Sequence, residues 1–280
     1  MIKLITIDID GTLVTPMKRI TKNTEKIIKK ASENGLYIAL ASGRPFSGMK
    51  SYIDKLSLNK ENSFSVTQNG AYIHRNSNGA VVAKNCLRTT DLKFVEKFLK
   101  KFKLQMGFMD EKFFYTNEKL PNIFLIGDSF IAKRKLRRVN FKNFNEDKEF
   151  GRILVMGNNK NITNFSNNLP KELSEKYYCV RTERYLFEII AKKTNKGKGV
   201  YDLSNMLNVK KNEIMSIGNE LNDIPMFEES GLSIAMGNSS EYVKNFADFV
   251  TLSNKKDGVY FAIDKLLKNK CENFTKNSKI

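Results

Sequence analysis

Asp8 and Asp10 stand two residues apart in Asp8-Ile9-Asp10-Gly11-Thr12-Leu13, directly after the apolar run Leu4, Ile5, Ile7. In an open α/β sheet, ligands gather at the carboxyl ends of strands, so both aspartates would emerge where a site belongs. Two carboxylates so spaced suit metal coordination, and they can divide nucleophilic and acid/base work. Gly11 lets the chain turn sharply away. Taken alone, the same residues make a turn with a helix cap. Ser42-Gly43-Arg44-Pro45 follows a second strand-like run. A hydroxyl, a glycine amide and a guanidinium can cradle a phosphate, and Pro45 fits the first turn of a following helix whose amides favour an anion. Ser-Gly is also ordinary turn chemistry. Lys196-Gly197 opens a later helical stretch, where the simple reading is a solvated charge. Gly218-Asn219-Glu220-Leu221-Asn222-Asp223 places amide and carboxylate oxygens after another apolar strand. Mg²⁺ prefers such oxygen ligands.

The elements that must hold these residues alternate. The N-terminal part reads as a strand ending at Ile9, then a helix capped by Thr21 that carries Ile27 and Ile28 and stops at Asn34-Gly35. Strands at Tyr37 to Ala41 and Phe64 to Thr67 follow, the latter ending at Gln68-Asn69-Gly70. The C-terminal part repeats the pattern. Helices are expected at Lys198 to Leu207, Asp223 to Glu229, from Ser239, and at Val259 to Leu267. Strands are expected at Glu213 to Ile217, Leu232 to Met236 and Phe249 to Thr251. Such alternation predicts a parallel sheet covered on both faces. The middle has one clear helix, Asp91 to Phe102, with short apolar runs at Phe113 to Tyr115, Ile123 to Ile126, Ile153 to Met156 and Leu186 to Ile190. A further helix is expected at Thr163 to Leu169 or Lys171 to Lys176. The fold class is therefore α/β: a Rossmann-like parallel-sheet core over residues 1–80 and 190–280, with an inserted α+β domain at 81–189. The polar residues Asn269 to Ile280 read as a frayed end.

Composition narrows the chemistry. The chain has 280 residues, and its 41% hydrophobic content suffices for a core. His74 is its single histidine, which argues against a Ser/His/Asp triad or a histidine metal cluster. Cys86, Cys179 and Cys271 are widely spaced and read as inert thiols. Catalysis must rest on carboxylates, lysine and metal. No signal peptide or apolar span of bilayer length is evident, so a cytoplasmic protein without a membrane partner is expected. The formal charge is +18. Nucleic acid is one reading of that surplus. Yet Lys and Asn are spread along the whole chain, and the densest cluster, Lys133 to Arg138, lacks interleaved aromatics. The surplus reads as compositional, with no nucleic acid as partner. A positive field would still attract a small anion.

The order of these features, a DxDGT, a strand-end serine, a lysine and a strand-end Asn-Asp pair, resembles the haloacid dehalogenase superfamily. More narrowly it is similar to the Cof-type sugar-phosphate phosphatases, which carry a large α+β cap between the second and third motifs. The resemblance covers nearly the whole chain. Gln68-Asn69-Gly70-Ala71, Leu186-Phe187-Glu188-Ile189 and Asp257-Gly258-Val259 support it. It implies a Mg²⁺-dependent phosphatase acting on small phosphorylated metabolites through an aspartyl-phosphate. Asp8 would take the phosphoryl group. Asp10 would protonate the leaving alcohol and then deprotonate water, its carboxyl raised by Asp8 and partial burial while the metal opposes them. Mg²⁺ would sit among the Asp8 carboxylate, the Asp10 carbonyl and Asn219. Ser42 and Lys196 would hold phosphate oxygens, with Gly43 and Arg44 beside them and Asn222 reaching in. Asp223 would orient Lys196 or a water on the metal. The cap would close over the substrate and supply specificity.

One departure stands out. The family usually has Asp where this chain has Asn219. An amide oxygen can coordinate Mg²⁺ without a full charge, so metal affinity should fall. A phosphometabolite-binding relative with weakened catalysis is the alternative. Sugar phosphates, flavin mononucleotide and related riboflavin intermediates, and pyridoxal phosphate are all suitable substrates. A monomer is expected.

Overall fold

The computed structural model of the protein describes residues 1–131 and 134–268. The polar end after 268, with Cys271, lies outside the described residues, as does Lys133. The chain divides into two compact units, Met1–Lys84 with Asn195–Ile280, and Asn85–Thr194. These borders lie a few residues beyond those expected at 80/81 and 189/190. The reason is pairing: Val81–Lys84 adds to the first unit's sheet and Leu186–Ala191 runs on in the second's.

The first unit is built on an eight-stranded sheet. Its order is Phe249–Val250, Leu232–Ala235, Ile214–Gly218, Leu4–Ile7, Tyr37–Ala41, Phe64–Thr67, Tyr72–Arg75 and Val81–Lys84. The first six strands are parallel and the last two antiparallel. Leu4–Ile7 is central and wholly buried, in register with Tyr37–Ala41 on one side and Ile214–Gly218 on the other. Its alternate side chains serve two cores. Ile5 and Ile7 join Leu40 and Ile217 under the helices Lys22–Glu33 and Gly258–Leu267. Leu4 joins Ala39, Val66, Val200 and Leu203 on the opposite face, under Lys196–Met206. A strand buried on both faces explains the near-continuous apolar run in sequence. The helix Lys22–Glu33 starts and stops as its sequence signals require. The Thr21 hydroxyl accepts from the Thr24 amide at 3.2 Å, and Gly35 takes φ 86 just past the end.

The second unit holds a six-stranded sheet ordered Tyr177–Glu183, Leu186–Ala191, Arg152–Met156, Gln105–Met109, Phe114–Thr116, Leu136–Arg138. Only the last pair is parallel. Thr89–Leu99, Asn159–Asn167 and Lys171–Lys176 pack around one core with Phe108, Phe150 and Phe165. Ile123–Ile131 is a helix, where only a short apolar run was evident. It anchors a separate cluster through Leu125 while Ile123, Phe130 and Ile131 stay exposed. Pro45 does not open an α-helix. It precedes the 3-10 turn Phe46–Gly48, and the helix Lys50–Lys55 starts after that.

The central strand sets the positions of everything after it. Ile7 is fully buried between Leu40 and Ile217. Truncation by Ile7→Ala is expected to cost about 2–5 kcal/mol, read from the first unit's urea unfolding transition.

Candidate functional site

Three neighbouring parallel strands end together. Asp8 follows Leu4–Ile7, Ser42 follows Tyr37–Ala41 and Asn219 follows Ile214–Gly218. Parallel pairing in register therefore delivers residues far apart in sequence to one edge of the sheet. Lys196 is the first residue of Lys196–Met206, whose cap Asn195 accepts from the Lys198 amide at 2.8 Å. Its side chain is 1% exposed. The ammonium donates to Asp8 Oδ1 and to Asp223 Oδ1, each at 2.6 Å. Asp223 is fully buried, and its Oδ2 accepts from the amides of Asn219 at 2.8 Å and Glu220 at 3.0 Å. Burial alone would push the Lys196 ammonium to lose its proton, but Asp223 and Asp8 overcome this and hold it charged. Burial pushes the Asp8 carboxyl up, Lys196 pulls it back and Asp223 pushes again, with a net rise.

A second set of oxygens meets beside Asp8. The Asn219 amide lies 3.2 Å from Asp8 Oδ2, 2.9 Å from the Asp10 carbonyl and 2.8 Å from Thr12 Oγ1 when its nitrogen faces them. Reversed, its oxygen joins the set and accepts from Thr12 at 2.8 Å. A carboxylate, a backbone carbonyl and an amide oxygen form a donor set that fits a hard divalent cation. Among the described residues, no group of three or more His, Cys, Asp or Glu side chains could hold a metal ion. A cation here would rest on this mixed set. Gly11 makes the set possible, because a Cβ there would stand 2.5 Å from the Asn219 amide nitrogen. Asp223, expected among the metal ligands, commits both carboxylate oxygens to Lys196 and the two backbone amides instead.

The Asp10 side chain points elsewhere. Arg44 grips it with two bonds, Nε to Oδ2 at 2.6 Å and Nη2 to Oδ1 at 2.7 Å, and Lys18 adds Nζ to Oδ1 at 2.6 Å. Burial would raise this carboxyl, as expected from sequence. Arg44 and Lys18 outweigh burial and hold it at about 2. Arg44, expected beside the phosphate, is thus the partner of Asp10. Ser42 is buried, and its Oγ accepts from the Arg44 amide at 3.2 Å. Asn222 is exposed and donates from Nδ2 to Asn69 Oδ1 at 3.1 Å. The Asn69 side chain lies against Gly43, whose Cβ would meet it at 3.2 Å. Thr12, Lys18 and Asn69 were not among the expected site residues. Thr12 and Asn69 lie in stretches already notable in sequence. Lys18 carries no local signal.

Comparison with known proteins decides the family. Residues 5–263 match the haloacid dehalogenase-like hydrolases. The chain belongs to that family. This family, in its Cof-type branch, is the one implied by the motif order. YxeH of Bacillus subtilis (strain 168) is 30% identical over 267 residues, covering 95% of this chain and 99% of its own. The 5-amino-6-(5-phospho-D-ribitylamino)uracil phosphatase YcsE of the same strain is 27% identical over 262 residues, 94% of each chain. A haloacid dehalogenase-like hydrolase from Bacteroides thetaiotaomicron has a crystal structure that superposes with a TM-score of 0.82 at 26% identity. That match covers 95% of this chain and 100% of the other. The enzyme class is accordingly that of a phosphatase. No helix among the described residues is long and apolar enough to cross a membrane.

Two consequences can be measured. Lys196→Met leaves two buried carboxylates without their cation and is expected to destabilise the first unit by about 3–5 kcal/mol in urea. Lys18→Met removes one of three bonds to Asp10, so its carboxyl should titrate above the present value of about 2. Carbon-13 NMR of the aspartate carboxyls reads this directly, and an unmoved midpoint would show that Arg44 alone sets it.

Proposed function

We propose that the protein is a Mg²⁺-dependent phosphatase that cleaves small phosphorylated metabolites through an aspartyl-phosphate on Asp8. The observation that supports this best is the split environment of Asp8. One carboxylate oxygen is held by Lys196, and the other lies 3.2 Å from the Asn219 amide, which also reaches the Asp10 carbonyl at 2.9 Å. Asp8 Oδ2, the Asp10 carbonyl and Asn219 would hold Mg²⁺. Once bound, the ion supplies a Lewis acid that offsets the repulsion between a carboxylate and a phosphate dianion.

In this reading Asp8 attacks phosphorus and the bond to the leaving oxygen breaks. Asp10 protonates that oxygen. Water then cleaves the acyl phosphate, Asp10 takes its proton, and phosphate leaves with Asp8 restored. Lys196 and Ser42 hold phosphoryl oxygens, with Gly43, Arg44 and Asn222 around them. Lys196 also keeps Asp8 aligned through the bond it already makes. As an ionised group, Asp10 is ready for its base role. Its acid role requires that Arg44 and Lys18 first release it. One relative's name carries a phosphorylated ribityl chain, and polyol or sugar phosphates are the substrate class we favour. We place the enzyme in the cytoplasm as a monomer, with neither nucleic acid nor membrane as partner.

A second reading rests on Asn219. Its neutral amide gives the cation set one charge fewer than a carboxylate would, which favours a protein that binds phosphometabolites with little turnover. Hydrolysis of p-nitrophenyl phosphate separates the two. The first reading expects Mg²⁺-dependent release of nitrophenol that Asp8→Asn lowers by about 10³-fold or more. Asn219→Asp should then lower the half-saturating Mg²⁺ concentration by about tenfold. Phosphate binding without any metal-dependent turnover in the natural chain would leave the second reading standing.

A further inference from the structure

The six-stranded sheet of the second unit has two faces of different character. Side chains alternate along a strand. Ile153, Val155, Phe187 and Ile189 therefore join the core with Phe108, Phe150 and Phe165. Their neighbours Leu154, Met156 and Leu186 turn the other way and cluster with Leu125 of Ile123–Ile131. By the same alternation Arg152 and Glu188 share that second face, and Leu154 stands directly opposite Glu188. A charged pair thus sits where the pattern calls for apolar side chains. Ile123–Ile131 departs from its pattern in the same way. Leu125 and Ser129 are its buried residues, and Asp128 lies on the same side of the helix, three residues on from Leu125.

The pair is buried but incompletely bonded. The Glu188 side chain is 5% exposed and that of Arg152 12%. Arg152 Nη1 donates to Glu188 Oε1 at 3.0 Å. Arg152 Nε and Glu188 Oε2 are buried as well, and neither has a hydrogen-bond partner among the described residues. A buried carboxylate oxygen and a buried guanidinium N–H without partners are costly. An ion pair kept only for structure would close both positions. Two more polar groups lie close. Burial raises the Asp128 carboxyl, the Arg152 charge lowers it and Glu188 raises it again. Burial also raises the Tyr178 phenol, and Glu188 adds to that rise. Asp128, Tyr178 and Arg152 are half-buried, so the cluster is open at its rim and closed at Glu188.

We propose that this cluster is a binding site on the second unit for a polyhydroxy compound, a polyol or a sugar. The two open positions decide the chemistry. Glu188 Oε2 needs a donor and Arg152 Nε needs an acceptor. Both belong to groups already joined by a hydrogen bond, so one small ligand can span them. An ammonium would serve the carboxylates but offers Arg152 Nε no acceptor. An anion would serve Nε but would meet the Glu188 and Asp128 carboxylates. Hydroxyl groups both donate and accept, and their bonds to ionised partners are the stronger kind. Asp128 and Tyr178 add positions for further hydroxyls, as the few orienting groups of a small-molecule site do. The ligand needs no phosphate, so the site stands apart from the phosphatase reading.

Xylitol, a polyol without phosphate, is the probe, added to the full chain and followed through the protein's methyl resonances by NMR. Binding is expected to shift the methyls of Leu154, Leu186 and Ile190 and to leave those of Val200 and Leu203 in the first unit where they are. Glu188→Gln keeps the acceptor for Arg152 Nη1 and puts a donor in place of the open oxygen. Arg152→Lys keeps the charge and removes the Nε–H. Each is expected to raise the dissociation constant for xylitol by about tenfold. The thermal midpoint shows whether each variant is folded, and where one is not, the methyl shifts of the natural chain decide. Butylammonium, with donors only, is expected not to displace xylitol. No shifts in the natural chain, shifts confined to the first unit, or equal affinity in both folded variants would each overturn the inference. So would tighter binding of butylammonium than of xylitol, which makes the cluster a cation site. Mg²⁺-dependent hydrolysis of p-nitrophenyl phosphate is untouched by all of these outcomes, so the two readings fail separately.

Discussion

The first unit's site is organised by one buried ammonium shared between two carboxylates. Lys196 reaches Asp8 across 188 residues of sequence and Asp223 across 27. Removing a lysine from water is costly, and only good geometry with both partners offsets it. That requirement propagates outward. Asp223 must be in place, so its other oxygen is fixed by the Asn219 and Glu220 amides. Lys196 must be in place, so its helix begins at that residue, capped by Asn195. Asp8 must be in place, and the most deeply buried strand of the sheet ends beside it. An ammonium satisfied in this way is also a fixed positive charge next to a candidate nucleophile, needing no rearrangement when an anion arrives.

Asn219 makes sense in the same electrostatic terms. A carboxylate at that position would lie about 3.2 Å from Asp8 Oδ2 and near Asp223, with Lys196 as the only cation among the described residues bonded to either. The amide avoids that repulsion and can turn either end toward the oxygens around it. It thereby satisfies the site in the absence of a cation, at the expense of charge available to hold one. The position illustrates the general opposition between a comfortable site and a reactive one.

Much of this was readable from residue order. Asp8, Ser42 and Asn219 were legible because strand–helix alternation forces parallel strands, and parallel strands end on the same side. The two-faced burial of Leu4–Ile7 and the Thr21 cap were legible because they are local or periodic. Side-chain direction was not. Nothing in DxDGT says that the Asp10 carboxylate turns toward Arg44, since that pairing depends on where two loops meet. Lys18 was invisible for the same reason, as one lysine in a lysine-rich chain. Ile123–Ile131 was hidden by composition. Its first residues, Ile-Phe-Leu-Ile, match a short buried strand as well as a helix, and tertiary packing through Leu125 chose the helix. Asn69 was visible as turn chemistry, and its contacts with Gly43 and Asn222 depend on where the loops meet.

Charge balance finally bears on why a cation belongs in the proposed reaction. Among the described residues the site pairs three carboxylates, Asp8, Asp10 and Asp223, with three cations, Lys18, Arg44 and Lys196. These sum to zero, and the Glu220 carboxylate beside Asn219 adds no positive charge. A phosphate dianion entering such a site brings two negative charges into a partly dehydrated space with no surplus to receive them. Arg44 could turn to the phosphate, but it would then strand the Asp10 carboxylate, so the sum would not change. The chain's overall +18 cannot substitute, because exposed charges beyond about 8–10 Å are screened at physiological salt. A divalent cation restores neutrality at the point where the charge enters. The neutral amide of Asn219 leaves the site charge-balanced without the ion, so under this reading cation and substrate each make the other's binding favourable.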